Sequence, residues 1–289
     1  MLALVAGEGD LPGLVLKSLE AEGTAFQLCE MEGHPSAARG DRPVIRFRIE
    51  SLGSFIAALV SKGVDRVCFV GRVVRPALDP SKIDPATMPL VPRMMAALQQ
   101  GDDAALRTLL SFFQEAGVES VGAHELRPDL LPAPGVLTKT QPEEQHHKDA
   151  DRGAQIIAAM AQADVGQSCI VAQGQALAIE AQPGTDWMMQ SLMVQNTGLN
   201  SDLVASALGY GGALQRSAQL PPGGVLVKAA KPGQELRIDM PTIGPDTLRR
   251  AAQVKLDGVV IEAGRVMVLD APHCIKIADQ QGLFLWVRG

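Results

Sequence analysis

The chain has few aromatic residues and no excess of positive charge. Its 289 residues include seven Phe, two Trp and one Tyr, and 26 Lys and Arg stand against 32 Asp and Glu, a net charge of −6 at pH 7. Single-stranded nucleic acids are bound by stacking bases on aromatic side chains, and nonspecific binding to nucleic acid depends on a basic surface. The composition therefore predicts a protein that has no nucleic-acid partner.

Cysteines are also few, and they lie far apart. Cys29, Cys68, Cys169 and Cys274 have no paired spacing of the kind found in zinc sites or disulfide frameworks. The opening apolar run at residues 2–6 is too short for the hydrophobic region of a signal peptide, and no later run reaches membrane-spanning length. We expect reduced cysteines in an apolar core and a cytoplasmic protein.

The length and the order of the apolar segments indicate two domains. Over residues 1–130, short apolar runs alternate with helical patterns, which predicts an α/β domain with a Rossmann-like parallel sheet. A proline-rich passage at residues 127–135 is typical of a linker. Residues 136–289 are predicted to form a second α/β domain, with a mixed sheet and helices. We expect the ligand cleft between the two domains.

A glycine-containing loop follows the first predicted strand. Gly9, Asp10 and Leu11 open a helix predicted to reach Ala21, and exposed N–H groups at a helix start favour an anion. We therefore predict that these three residues bind substrate. The loop superficially resembles a dinucleotide-binding turn, but its glycine spacing is different and Glu8 occupies the second position. These departures argue against NAD binding.

Other charged residues of the first domain lie at predicted strand or helix ends. Arg72 and Arg75 follow a strand at residues 67–70, so both guanidiniums are predicted to reach a ligand at the carboxyl edge of the sheet. Asp102 and Asp103 precede a helix. For these two aspartates a helix-capping role and a ligand-binding role both stay open.

Two polar segments of the second domain are further candidates for the substrate site. Lys139, Thr140 and Gln141 directly follow the linker and are predicted to face the cleft. Thr185 and Asp186 open a short predicted helix. They are either ordinary capping residues or a second acidic pole that faces the ligand.

The stretch from residue 228 to residue 244 is the most informative. Lys228 ends a short apolar run that reads as a buried strand, where α/β proteins often place functional groups. Lys231 begins a proline–glycine turn. Residues 236–240 are then predicted as a strand, and Arg237 and Asp239 would share one face of it if the segment is extended. Cations able to hold a diphosphate would then lie beside a carboxylate able to hold a metal. Surface charges on a solvated loop are the alternative, and the spacing does not decide between the two.

Several short motifs occur in an order that is typical of one enzyme family. They are LVAGEGDLP at 4–12, GDDAALR at 101–107, VGQ at 165–167, AIEA at 178–181 with GTD at 184–186, KAAKPGQ at 228–234, DMPTIG at 239–244 and EAGR at 262–265. Together they resemble the UDP-2,3-diacylglucosamine pyrophosphatases of lipid A biosynthesis, in the form unrelated to calcineurin-like phosphoesterases. The resemblance covers nearly the whole chain. Two features depart from the family pattern: Glu8 replaces a glycine, and residues 188–222 are longer than usual.

The resemblance implies two α/β domains with a lipid-linked sugar nucleotide between them, a homodimer, and dependence on Mg²⁺. It implies that Asp239 is the important aspartate. The mechanism that follows is a hypothesis: Asp239 is the catalytic residue that holds the metal or orients water, Lys228, Lys231 and Arg72 neutralise the diphosphate, and Thr242 binds substrate. The implied reaction yields UMP and 2,3-diacylglucosamine 1-phosphate. We also expect transient contact between the protein and the inner-membrane surface. A noncatalytic sugar-nucleotide or dinucleotide-binding protein is the alternative.

Overall fold

The computed structural model describes residues 1–73, 78–195 and 214–289. The chain divides into two compact units. The first contains Met1–Asp129 and Gln234–Met240, and the second contains Leu130–Gly233 and Pro241–Gly289. The chain therefore leaves the second unit after Gly233 and returns to it at Pro241.

The secondary structure alternates strands and helices in both units. The first unit contains β1 (Leu2–Ala6), α1 (Leu11–Ala21), β2 (Phe26–Met31), β3 (Val44–Phe47), α2 (Leu52–Ser61), β4 (Arg66–Val70), α3 (Val91–Leu98), α4 (Asp102–Glu115), β5 (Glu119–Ser120) and α5 (Ala123–Leu126). The second contains β6 (Gly135–Val136), α6 (Glu144–Gln162), β7 (Ser168–Ala172), β8 (Gln175–Ile179), α7 (Thr185–Gln190), β9 (Met193–Gln195), β10 (Leu214–Arg216), β11 (Val225–Lys228), β12 (Thr242–Ile243), α8 (Pro245–Gln253), β13 (Gly258–Glu262), β14 (Met267–Val268), α9 (Ala271–Gln281) and β15 (Phe284–Arg288). Short 3₁₀ turns lie at Ala37–Arg39, Ile49–Ser51, Pro80–Lys82, Met88–Leu90 and Pro128–Leu130.

A parallel sheet with strand order β3-β2-β1-β4-β5 forms the centre of the first unit. Ala3 and Val5 of β1 belong to the core that α2 and α4 cover, whereas Leu2 and Leu4 are buried on the opposite face. Burial on both faces explains the uninterrupted apolar run of this strand. The parallel sheet predicted for this region is confirmed. The strand order reverses between β1 and β4, and ligands of such sheets bind outside the carboxyl ends of the strands at this point.

The second unit contains a mixed sheet with strand order β6-β15-β13-β11-β7-β8. Strands β15, β13 and β11 are parallel to one another. Strand β6 pairs antiparallel with β15, β7 pairs antiparallel with β11, and β8 pairs antiparallel with β7. Ile157 of α6 packs with Val225 on one face, and Leu226 packs with Leu248 of α8 and Ile277 of α9 on the other. This arrangement confirms the predicted mixed sheet.

The strand predicted for residues 236–240 is wrong. Leu236–Ile238 form a turn, and the Asp239 N–H donates to the carbonyl oxygen of Glu235 at 3.0 Å. This bond closes a single helical turn, so backbone groups of the segment are satisfied locally and do not require a neighbouring strand. Arg237 and Asp239 consequently do not share the face of a strand.

The four cysteines are free thiols in the apolar core, as predicted. Cys29, Cys68, Cys169 and Cys274 are all buried, and burial raises the pKa of each thiol to about 12. Their chemistry is therefore that of inert core residues. No helix in the described part of the chain combines the length and the apolar character that crossing a bilayer requires.

Candidate functional site

The loops after β1 and β4 are joined through their backbones. Glu8 N donates to Arg72 O and Arg72 N donates to Glu8 O, both at 2.9 Å. A Cβ at Gly7 would lie 2.4 Å from Arg72 O, and a Cβ at Gly71, where φ is +87°, would lie 2.6 Å from Glu8 O. Both glycines are therefore required for this close approach. Because Glu8 contributes its backbone here, the acid that replaces the family's glycine is compatible with the loop.

The predicted residues of the first loop lie at the reversal point of the parallel sheet. Gly9 has a φ of +96°, Asp10 is the N-cap of α1 and Leu11 is its first residue. Arg72 is exposed beyond the end of β4, beside this loop. The backbone pairing with Glu8 thus places the exposed Arg72 next to the loop that opens α1, and a cation and a helix N-terminus both favour an anion. Arg75 lies outside the described residues.

In the second unit, Lys228 is buried within hydrogen-bonding distance of a hydroxyl that contacts a buried carboxylate. Lys228 Nζ donates to Thr185 Oγ1 at 2.9 Å, and Thr185 Oγ1 donates to Glu180 Oε1 at 2.6 Å. Lys228 and Glu180 are 6% and 7% exposed. Strand pairing creates this arrangement, because Lys228 lies opposite Ser168 of β7 and β8 returns so that Glu180 follows it at the same edge. We call Lys228, Thr185 and Glu180 the Lys–Thr–Glu chain.

Glu180 is ionised near neutrality in spite of its burial. Burial alone raises the pKa of this carboxyl, but the Lys228 charge lowers it, and so do hydrogen bonds from Thr185, from Ser168 Oγ at 2.9 Å and from Gln167 N at 3.1 Å. The combined effect holds the pKa below its ordinary value of 4.5. A buried lysine and a buried glutamate therefore compensate each other.

The turn that follows Lys228 is held by the end of β13. Ala230 N donates to Glu262 Oε2 at 3.0 Å, and Arg265 donates to Lys231 O at 3.1 Å while pairing with Glu262 at 3.2 Å. The Lys231 ammonium forms an ion pair with Asp164. The lysine-rich turn is consequently fixed by contacts within the second unit.

Other predicted residues of the second unit lie in several places. Asp186, the second residue of α7, lies 3.1 Å from Arg250 of α8. Thr242 lies in β12, which pairs with β14. Asp186 therefore follows Thr185 in sequence but has a cationic partner of its own, Arg250.

Three predicted binding residues lie at the opposite end of the parallel strands of the second sheet from Lys228. They are Lys139, Thr140 and Gln141. Lys139 N donates to Asp279 Oδ1 of α9 at 2.8 Å, and the preceding residues follow β15 near its first residues. Because β15, β13 and β11 are parallel, the first residues of β15 lie at the amino ends of all three strands, whereas Lys228 lies at the carboxyl end of β11. The structure does not bring this segment to the lysine.

Asp239 lies in the first unit and is partly exposed. Gln234, 7% exposed, donates from Nε2 to Asp239 Oδ2 at 2.8 Å and to Asp239 O at 2.7 Å. Arg237, expected beside this aspartate, instead pairs with Glu235 at 2.7 Å. The turn therefore presents Asp239 with an amide donor rather than with the arginine.

Asp103 anchors the segment that carries Asp239. Its Oδ1 accepts a hydrogen bond from Glu235 N at 2.9 Å, and its carboxylate pairs with Arg107 one turn along α4. Gly101 is the N-cap of that helix, and Asp102 and Asp103 lie in its first turn. The structure thus gives Asp103 a positioning contact, which the sequence alone could not separate from a ligand role.

The Asp239 carboxylate offers an oxygen ligand of the kind that Mg²⁺ takes. The described residues contain no group of three or more His, Cys, Asp or Glu side chains placed to hold a metal. Mg²⁺ usually keeps several waters and is bound through one or two carboxylates together with substrate phosphates. Asp239, a partly exposed carboxylate that Gln234 orients, can supply one such protein carboxylate.

Sequence reasoning gave no role to two residues that the structure places in these contacts, Glu180 and Gln234. Both belong to the motifs on which the family resemblance rests, AIEA and KAAKPGQ. The available signal for Glu180 was an acid at the end of an apolar run, a position where a buried charge needs a partner. Gln234 gave no comparable signal, because its function depends on a turn that was predicted as a strand.

Two family models together match almost the entire chain. The model described as LpxI N-terminal domain matches residues 1–130, and the model described as LpxI C-terminal domain matches residues 133–286. The chain belongs to the LpxI family. This confirms the family resemblance that the ordered motifs indicated.

A curated relative supports the LpxI assignment over the full length. The chain is 36% identical over 284 residues to the UDP-2,3-diacylglucosamine pyrophosphatase LpxI of Caulobacter vibrioides (strain ATCC 19089 / CIP 103742 / CB 15), covering 98% of this chain and 96% of the relative. A solved structure titled "Crystal structure of gox2253" is 22% identical in sequence, with a TM-score of 0.26. The match covers 50% of this chain and 40% of the chain in that structure. That structural likeness is too weak to inform the fold of this LpxI-family chain.

Proposed function

We propose that this chain hydrolyses the diphosphate of UDP-2,3-diacylglucosamine in lipid A biosynthesis, releasing UMP and 2,3-diacylglucosamine 1-phosphate (lipid X). The observation that carries the proposal is the match to both LpxI domains, together with 36% identity over 98% of the chain to a relative named for this activity. A match over both domains favours retention of the whole enzyme rather than of one binding module.

The roles proposed for individual residues follow from their chemistry. Asp239 would hold Mg²⁺ or orient the attacking water, and Gln234 supports either role because its amide donates to one carboxylate oxygen. Lys228, Lys231 and Arg72 neutralise the diphosphate, which carries negative charge in both the substrate and the transition state. When bound, Mg²⁺ polarises phosphoryl oxygens and lowers the pKa of coordinated water.

The remaining predicted substrate contacts stay part of the proposal. Gly9, Asp10 and Leu11 offer backbone N–H groups to a phosphate at the start of α1. Thr242 offers a hydroxyl, whereas Thr185 belongs to the set through its contact with Lys228. Arg75, Asp186, Lys139, Thr140 and Gln141 complete the set of proposed substrate-binding residues.

The bond that breaks is proposed to be the one between the bridging oxygen and the phosphorus nearer the sugar. Water supplies a new P–O bond at this phosphorus, UMP leaves with the bridging oxygen, and the proton of the water passes to Asp239 or to solvent. Hydrolysis in ¹⁸O-labelled water tests this direction. Label in the sugar phosphate supports it, and label in UMP contradicts it.

The proposed activity is tested by incubating the purified chain with UDP-2,3-diacylglucosamine and Mg²⁺ and following the products by ³¹P NMR. We expect two phosphomonoester signals to replace the diphosphate signals, and we expect EDTA to stop the reaction. Binding of the substrate without turnover would instead identify a noncatalytic sugar-nucleotide-binding protein. An activity insensitive to EDTA would overturn the proposed Mg²⁺ dependence and leave the hydrolysis intact.

We also propose a cytoplasmic homodimer that touches the inner-membrane surface transiently. The substrate carries acyl chains, and Trp187 of α7 is 57% exposed with Ile179 nearby in sequence at 46%. Exposed tryptophan favours the boundary between apolar chains and water. Light scattering tests the dimer, and cosedimentation of Trp187→Ala with phospholipid vesicles tests the membrane contact.

A further inference from the structure

The Lys–Thr–Glu chain of the second unit assigns a function to a residue that has none in the proposed mechanism. We infer that Glu180 is a positioning residue, which acts through the Thr185 hydroxyl to fix the Lys228 ammonium for the substrate diphosphate. This inference rests on the proposed function, because it assumes that Lys228 meets a diphosphate.

Only one order of donors and acceptors is possible along the Lys–Thr–Glu chain. An ammonium only donates, so Thr185 Oγ1 must accept from Lys228 Nζ at 2.9 Å. The hydroxyl has a single proton, which is then directed to Glu180 Oε1 at 2.6 Å. Thr185 therefore transmits the orientation of a carboxylate to an ammonium, and the ammonium is held at one point rather than swinging on its flexible stem.

The acceptor capacity of Glu180 is used within the protein. Oε1 accepts from Thr185, and Oε2 accepts from Ser168 Oγ at 2.9 Å and Gln167 N at 3.1 Å. A carboxylate with these contacts at 7% exposure is poorly placed to bind a metal or to take a proton from substrate. Glu180 therefore acts on the reaction by way of Lys228, and a residue that acts through another is a positioning residue.

The local backbone is built to bring Glu180 to this place. A Cβ at Gly166 would lie 2.3 Å from Glu180 O, so only glycine lets the chain before β7 pass so close. Gly184 has a φ of +89° and precedes Thr185 at the start of α7. A side chain would clash at the first position and strain the backbone at the second, so the backbone around Glu180 and Thr185 depends on both glycines.

Charge balance makes the arrangement sensitive to either partner. Burying an ammonium without a counter-charge is costly, and the same holds for a carboxylate. Lys228 and Glu180 are each less than a tenth exposed. Removing one charge should therefore disturb the other, whereas removing both together should be tolerated better.

The test is a double-mutant cycle on kcat/KM with UDP-2,3-diacylglucosamine. Glu180→Gln keeps the size of the side chain and removes its charge, and we expect kcat/KM to fall about 10- to 100-fold, as for a lost hydrogen bond to a charged group. Lys228→Met removes the ammonium. On that background Glu180→Gln should cause no further loss, because the group it positions is already absent. An equal loss on both backgrounds would overturn the inference.

The bridging hydroxyl provides an independent test by rescue. Thr185→Val keeps the shape and removes the hydroxyl, so kcat/KM should fall about tenfold. Thr185→Ser restores the hydroxyl and should stay within about threefold of the original value. A valine variant as active as the serine variant would show that the hydroxyl does not transmit the orientation.

Thermal unfolding separates failure of the inference from failure of the proposed function. Glu180→Gln and Lys228→Met should each lower Tm, and the double variant should lose less than the sum, whether or not the protein hydrolyses the substrate. If the original protein shows no hydrolysis, the proposed function and this inference fall together, and the Tm coupling then reports charge balance alone. If it hydrolyses the substrate and Glu180→Gln retains full kcat/KM, the inference alone is overturned.

Asp149→Asn is the matched control for removing a buried carboxylate. Asp149 of α6 is 1% exposed and accepts from Gln173 N at 3.0 Å and Gly174 N at 2.6 Å, in the turn between β7 and β8. That turn lies at the other end of β7 from Ser168. We expect Asp149→Asn to lower Tm and leave kcat/KM of the folded protein unchanged. A tenfold loss there would mean that any destabilisation of this hairpin reduces activity, and it would overturn the specific role of Glu180.

Discussion

Two carboxylates, Glu180 in the second unit and Asp239 in the first, are held in opposite ways. Glu180 is 7% exposed and accepts from two hydroxyls and a backbone N–H. Asp239 is partly exposed, and within the described residues its side chain is held by the Gln234 amide at 2.8 Å. The first carboxylate is satisfied by the protein, and the second keeps capacity for a ligand.

Asp149 shows why burial alone does not identify a functional carboxylate. It is as buried as Glu180 and also accepts from several donors, but these are Gln145 and the backbone of a hairpin turn. Its bonds end in local structure, whereas those of Glu180 continue through Thr185 to a lysine. The group at the far end of a hydrogen-bond chain therefore distinguishes a positioning carboxylate from a structural one.

The largest expected effect is the loss of activity on changing Asp239 to Asn. An amide is a poor Mg²⁺ ligand and cannot accept a proton, so we expect kcat to fall about 10³-fold or more. Tm should change little, because the side chain is partly exposed and contributes one hydrogen bond. Steady-state kinetics and thermal melting measure both quantities.

Asp246→Asn is the control for that change. Asp246 follows in the same stretch of chain, its side chain is 79% exposed and it pairs with Arg249, so both kcat and Tm should be unchanged. Activity of Asp239→Asn close to that of the original protein would remove the contrast between the two carboxylates, since neither would then act on the substrate directly.

A smaller effect is expected from the amide that orients Asp239. Gln234→Leu removes the donor to Asp239 Oδ2 but leaves the carboxylate, and kcat should fall about tenfold, the effect of one lost hydrogen bond to a charged group. KM should change less than kcat, because the change affects orientation. Gln99→Leu, at an exposed glutamine after α3, is the control and should have no effect. A Gln234→Leu variant that loses affinity and keeps kcat would contradict this role.

Much of the fold was predictable because burial on two faces leaves a strong pattern. The run at Leu2–Ala6 and the helix at Leu11–Ala21 were predicted with the bounds that the structure shows, since parallel strands are uniformly apolar and a helix of this kind begins directly after the loop. The segment at residues 236–240 was predicted as a strand and forms a turn. Its alternation of apolar and polar residues fits both, and a hydrogen bond between residues four apart decides in favour of the turn.

Less of the site was predictable, because its contacts depend on strand order. The lysine at the end of β11 was predicted from the rule that such ends carry functional groups. Glu180 as its charge partner required knowing that β7 pairs antiparallel with β11 and that β8 pairs antiparallel with β7. Two residues 48 positions apart give no local signal. The placement of Lys139 at the opposite end of the parallel strands was hidden for the same reason.

The smallest expected effect is a difference in the pH dependence of stability between the original protein and Glu180→Gln. Lys228 and the three donors hold the pKa of Glu180 below its ordinary value of 4.5 in spite of burial. A carboxyl whose pKa is lower in the folded state stabilises the fold above its unfolded pKa, and that contribution is lost as the pH falls through the folded pKa. The Tm of the original protein should therefore exceed that of Glu180→Gln near neutrality, and the gap should narrow below pH 4.5. Glu144→Gln, on a surface glutamate that is 84% exposed, should show a small gap at every pH. A gap for Glu180→Gln that stays constant down to acid pH would mean that the carboxylate contributes shape rather than charge, and Glu180 would then belong with Asp149.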